Sequence, residues 1–263
     1  MLVKLVLKVI LVSRLATSTI TNHLIELLPA QERRLLLRHC EVVQLQFADV
    51  LCERDQKYRY LYFPMSGFIS LVTELSEHKP LEIGVIGNEG MLGVTMVLNL
   101  PNAPIQAVVQ GKGTAWRINA SDLQQLLLYC PSLRGILKQY LFILIMQLSQ
   151  STACAHFHEL DQRLARWLLI SHDRAHSNEF HLTHQFLADM LGVRRSGVSV
   201  AAGVMQQNHL IKYSRGKILI TNRTALEHAS CECYQNGINE YQRLLGTPTT
   251  DSAHRLRTPQ GAP

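Results

Sequence analysis

Apolar residues recur with a helical period at both ends of the chain and with a strand period between them. Over 22–38, Leu24, Leu27, Leu28, Leu35 and Leu36 sit among charged residues, which predicts short helices on either side of Pro29. From Val42 to about Ile118 the pattern changes to short runs of Val, Ile, Leu, Phe and Tyr. Turn residues divide these runs at Asp49, Asp55, Gly67, Gly84, Gly87, Gly90, Gly93, Gly111 and Gly113, the punctuation of an antiparallel sandwich or roll.

Asn119 and Ser121 can cap a helix starting near Asp122, and Pro131 opens another with no breaker before His158. In that long helix Leu133, Leu137, Tyr140 or Leu141, Leu144 and Leu148 form one stripe. A helix of some 25 residues exceeds what one small roll can cover, so the stripe is expected to form a homodimer interface. The alternative is that it packs only on the roll of its own chain. A change of composition over 154–158 marks a hinge, and 159–173 is again amphipathic, with Leu160, Leu164, Trp167, Leu168 and Ile170 inward.

The stretch LTHQFLADMLGVRRSGVSVAAGVMQQ (182–207) has the spacing of a helix-turn-helix. Thr183 caps a helix burying Phe186, Leu187 and Met190, and Gly192 supplies the left-handed turn. On the second helix Val198, Ala201, Ala202 and Met205 face inward, while Arg195, Ser196 and Ser199 share the opposite face. An early arginine, Arg194 or Arg195, suits bidentate pairing with guanine, and serine hydroxyls suit bases or phosphates. Downstream, LIKYSRGKILI (210–220) reads as a two-stranded wing from which Lys212, Arg215 and Lys217 can reach phosphates.

The fold class is therefore α+β. An N-terminal antiparallel β-roll (a double-stranded β-helix) precedes a long central dimer helix and a C-terminal winged helix-turn-helix. The expected divisions are an extension over 1–21, the roll over 22–130, dimerisation helix and hinge over 131–158, the winged helix over 159–246 and a disordered tail over 247–263.

Charge sharpens this reading. The 263 residues carry a formal +6, and between Asp161 and Arg223 nine basic residues face four acidic ones, an excess of five. Such concentration favours a patch facing a polyanion, here double-stranded DNA. The segment Leu2 to Val12 is too short and too interrupted by Lys4 and Lys8 to span a bilayer, so no membrane role is expected. Six scattered cysteines imply no disulfide scaffold, and a reducing cytoplasm is the simplest compartment. Cys154, His156 and His158, and likewise His228, Cys231 and Cys233, lack the paired CxxC spacing of structural zinc. They are read as packed or surface residues, with a redox switch as the sharper alternative, and no metal or cofactor is assigned. The chain has no Walker loop, GxSxG, HExxH or recognisable carboxylate pair, so no catalytic residue is named. The rival reading is a non-catalytic ligand- or redox-sensing protein whose winged helix contacts other proteins.

Three stretches, YLYFPMSGFISLV (60–72), IGNEGMLG (86–93) and LTHQFLADMLGVRR (182–195) with its YSRG wing, resemble the Crp/Fnr regulators. The resemblance implies an effector domain built like a cyclic-nucleotide-binding roll, a dimer helix and a winged helix reading a pseudo-palindromic operator, with RNA polymerase as a further partner. Arg195 matches the family's groove-reading arginine, and Thr183 and His184 match its backbone-contacting helix start. Ser196 stands where cyclic-AMP-responsive members place a glutamate, and Val200 where they place a second arginine, so a different operator is expected.

In the effector corner Glu89 and Gly90 are retained, but no arginine occurs from Asn102 to Gly111 to hold a cyclic phosphate. No response to cyclic AMP or cyclic GMP is expected, and the effector is an unidentified small molecule or redox signal. Cys40 alone precedes Cys52, so no N-terminal iron-sulfur cluster is expected. His39 and His78 are expected to be surface residues rather than haem ligands.

Overall fold

The computed structural model describes residues 21–74, 76, 80–175, 179–214 and 216–246. Most of the expected extension over 1–21, the tail over 247–263, His78 and Arg215 lie outside the described residues.

Two short helices, α1 (His23–Glu26) and α2 (Ala30–Arg38), flank Pro29 as the leucine pattern predicts. The Asn22 side chain accepts from Leu24 N and Ile25 N and donates to Pro64 O and Gly90 O, so one buried amide caps α1 and ties it to the roll. The strands are β1 (Cys40–Leu45), β2 (Val50–Cys52), β3 (Tyr60–Pro64), β4 (Phe68–Thr73), β5 (Leu81–Ile86), β6 (Gln106–Gly111) and β7 (Gly113–Asn119). They form two antiparallel sheets, ordered β1-β7-β3 and β2-β6-β4-β5. Phe63, Ile118, Ile69, Leu71 and Val109 from both sheets share one core with Met91 and Leu92.

Next come α3 (Ala120–Tyr129) and α4 (Pro131–Phe157), the latter a continuous 27-residue helix. Its predicted self-association stripe requires correction. Leu133, Leu137, Tyr140 and Leu144 are buried in the core of their own chain, and Leu141 and Leu148 pack partly against it. The large apolar residues α4 leaves exposed are Phe142, Ile145 and Met146 along its middle and Phe157 at its end. Helical period identifies an apolar stripe but not the surface that covers it.

The C-terminal part contains α5 (Leu160–Ala175), β8 (Glu179–His181), α6 (His184–Leu191), α7 (Arg195–Gln207), β9 (Ile211–Ser214), β10 (Lys217–Ile220), α8 (Arg223–Ala229) and α9 (Cys233–Leu245). The wing is a three-stranded sheet, β8-β10-β9; the three-residue β8 is too short to register as a strand pattern in sequence. A second core joins Leu164, Leu168, Leu187, Val198, Ala202 and Ile218. Helix α9 runs back along α4, and its Tyr241 and Leu245 belong to the first core. The far end of this helix therefore packs with the roll, not with the winged helix to which its place in the sequence attaches it.

Candidate nucleic-acid interface and effector corner

The helix-turn-helix forms as its residues require. Thr183 Oγ1 accepts from Phe186 N at 3.1 Å and starts α6, and Gly192 at φ 66° ends it in the left-handed region. Val198, Ala201, Ala202 and Met205 are buried, which locks α7 by one face. Leu187 and Met190 are buried as expected, but Phe186 is half-buried, between Trp167 and Phe47 of the roll. Along the opposite face Arg194, Arg195, Ser196, Val200 and Val204 are exposed.

Ser199 departs from the expected donor face. Its hydroxyl donates to Arg195 O and lies 2.8 Å from His184 Nδ1, so helix and neighbour already engage it. The His184 ring stacks on Tyr213 with centroids 4.3 Å apart, joining helix start to wing. Burial, followed by the nearby Arg195 charge, lowers the His184 pKa and favours the neutral imidazole. Lys212 and Lys217 are exposed on the wing, whose turn closes through Gly216 at φ 78°.

The corner carrying Glu89 and Gly90 is covered from outside the roll. Arg174 Nε donates to Glu89 Oε1 at 2.8 Å, with both side chains largely buried, and Gly87 N donates to the same oxygen at 3.2 Å. Tyr241 donates to Glu89 O at 2.7 Å. Gly90 permits a close approach, because a Cβ there would lie 2.0 Å from the Tyr140 hydroxyl. Near the start of β5, the strand that leads into this corner, Glu82 accepts from Trp167 Nε1 at 2.7 Å and from Ser70 at 2.5 Å. Burial outweighs these bonds and raises its pKa to about 7.

Two sequence models match the chain: the Crp-like helix-turn-helix domain over residues 162–229 and the cyclic nucleotide-binding domain over residues 42–129. They fall on the two cores in the order the family combines them. This chain belongs to the Crp/Fnr family.

Solved Crp/Fnr-type structures share the fold at low identity. FixK2 from Bradyrhizobium japonicum is 15% identical, with TM-score 0.62 over 73% of this chain and 98% of its own. A CRP/FNR-family transcriptional regulator from Thermus thermophilus is 18% identical, with TM-score 0.58 over 74% and 98%. The c-di-GMP responsive global regulator CLP from Xanthomonas campestris is 16% identical, with TM-score 0.58 over 74% and 100%. Comparison with curated protein sequences finds no match.

Within this Crp/Fnr chain, sequence reasoning missed Arg174, Glu82 and Tyr241 as parts of the corner. Arg174 entered only in the regional charge excess, and no local pattern links it to a glutamate 85 residues earlier. The two cysteine-histidine groups also prove to be neighbours. Cys154, His158, Cys231 and Cys233 converge where α4 meets the turn between α8 and α9. His156 is exposed against the Phe157 ring, and His228 faces the Thr224 carbonyl.

Proposed function

We propose that this Crp/Fnr regulator binds pseudo-palindromic double-stranded DNA as a homodimer, with one α7 in each of two successive major grooves. The observation carrying this reading is the first turn of α7, where Arg195 and Ser196 are exposed while Val198 and Ala202 fasten the other face. A helix held this way presents a guanidinium to base edges at little entropic cost. Thr183, His184, Arg194 and the wing lysines Lys212 and Lys217 flank it as phosphate contacts, and Arg215, between them in the sequence, is assigned the same role. Ser199 serves to hold the helix start rather than to touch bases.

The exposed Phe142, Ile145 and Met146 on α4 support pairing through that face, which would set the recognition helices about 34 Å apart. The effector is neither cyclic AMP nor cyclic GMP: no arginine replaces the missing phosphate ligand, and Arg174 occupies Glu89. A signal that separates Arg174 from Glu89 would shift the population of winged-helix orientations and so alter operator affinity. Contact with RNA polymerase and action in the cytoplasm accord with this role; among the described residues, no helix is long and apolar enough to cross a membrane.

Selection of bound fragments from random DNA, followed by mobility shifts at graded salt, tests the proposal. A two-fold symmetric motif whose affinity falls steeply with salt is expected. Failure to enrich any motif, with salt-insensitive binding, would sink it.

A further inference from the structure

Four metal-binding side chains from two distant parts of the sequence meet beside the hinge. Cys154 lies in the last turn of α4, His158 follows four residues later, Cys231 lies just before α9 and Cys233 opens it, with Glu232 between them. Their ligand atoms all lie within 4.8 Å of one another, and the three cysteines are buried. Cys154 Sγ is 3.5 Å from Cys231 Sγ, and Cys233 Sγ is 3.5 Å from His158 Nδ1. Zinc bonds of about 2.3 Å to sulfur and about 2.0 Å to nitrogen place neighbouring ligands of a tetrahedron about 3.5 to 3.8 Å apart. These two close pairs match that spacing and the whole set lies within 4.8 Å, whereas an iron-sulfur cluster interposes several atoms between its thiolates and needs a wider cage.

The surroundings also suit a thiolate-metal centre. His158 Nε2 lies 3.2 Å from Glu232 Oε1, the carboxylate partner that orients a ligating imidazole. Gln150 Nε2 donates to Cys233 Sγ at 2.9 Å, an outer hydrogen bond of the kind that orients a ligating sulfur. Three thiolates, one neutral imidazole and Zn2+ carry a net single negative charge. Arg166 donates from Nη2 to Ser151 Oγ, three residues before Cys154 on α4, and its buried Nε has no bonding partner.

We propose that Cys154, His158, Cys231 and Cys233 bind one zinc ion, which staples the end of α4 to the α8–α9 turn. Binding releases the three thiol protons to solvent and changes no oxidation state. The staple fixes the hinge from which the winged helix departs, because Cys154 and His158 precede α5 while Cys231 and Cys233 follow α8.

The test is elemental analysis of the full chain, purified without metal-affinity steps or chelator, together with cobalt substitution of reduced protein. One zinc per chain is expected as isolated or after reduction and zinc addition. Cobalt should give the intense visible bands of a tetrahedral thiolate site. Zinc content should fall to background in Cys231→Ser and Cys233→Ser but remain at the parental level in Cys52→Ser, whose thiol lies in the roll. Should the site variants not fold, the cobalt spectrum of the parent decides alone. Reduced parent protein that takes up neither metal, or protein carrying iron with acid-labile sulfide at these cysteines, overturns the assignment. So does a zinc content unaffected in folded Cys231→Ser and Cys233→Ser.

Discussion

Arg174 of the C-terminal part meets Glu89 of the roll at 2.8 Å, and this ion pair covers the corner where a Crp/Fnr protein would receive its effector. The side chains are 12% and 14% exposed, so neither charge has much water to fall back on. Removing one partner strands the other, which costs about 3–5 kcal/mol when a buried pair is broken. Arg174→Ala should therefore unfold at clearly lower urea, while Arg174→Met combined with Glu89→Gln should recover most of the loss. A single variant as stable as its parent would show that the pair contributes nothing to closure.

The same ion pair bears on ligand choice. With Glu89 engaged and no arginine between Asn102 and Gly111, titration calorimetry should register no saturable heat for cyclic AMP or cyclic GMP. Micromolar binding of either would contradict the proposed degeneracy of the pocket.

Base reading and phosphate binding should separate in two substitutions. Arg195→Ala is expected to lose about 1–3 kcal/mol of discrimination at one operator position per half-site. Lys212→Ala should weaken binding to all sequences alike and make the salt dependence shallower, by roughly one in the log–log slope for each phosphate no longer neutralised. Equal loss on cognate and random DNA for Arg195→Ala would place that arginine on the backbone instead.

Two faces of α4 should behave differently. Leu137 is fully buried in its own chain, so Leu137→Ala should cost about 2–5 kcal/mol in unfolding. Ile145→Glu, on the exposed face, should leave the fold intact and halve the mass seen by sedimentation at micromolar concentration. A dimer that survives Ile145→Glu and Phe142→Glu together would locate self-association elsewhere.

Glu82 makes docking of the two halves sensitive to pH. Burial raises its folded pKa from 4.5 to about 7, so between these values the docked form binds more protons than the separated one. Docking is accordingly favoured as pH falls from about 7 towards 4.5 and weakens as pH rises through 7. Trp167, whose indole donates to Glu82, reports this directly. In a Trp116→Phe background its emission should move to the red as pH rises, and Glu82→Gln should flatten the profile. An unchanged profile in that variant would assign the transition to another group.

Much of this molecule is written in local patterns. The alternation over 42–118, the uninterrupted run from Pro131 and the Thr183, Gly192 and Val198 spacing dictate strand, long helix and helix-turn-helix, because each depends on neighbours within a few residues. The outward position of Arg195 follows from the same periodicity. The tertiary structure decided which apolar face of α4 meets the roll, that the Ser199 hydroxyl turns to His184, and that Arg174 closes on Glu89. It alone brought Cys154 to Cys231 across 77 residues. Such pairings depend on how whole elements dock, and a one-dimensional period carries the orientation of a side chain about its own helix but not the identity of what it faces.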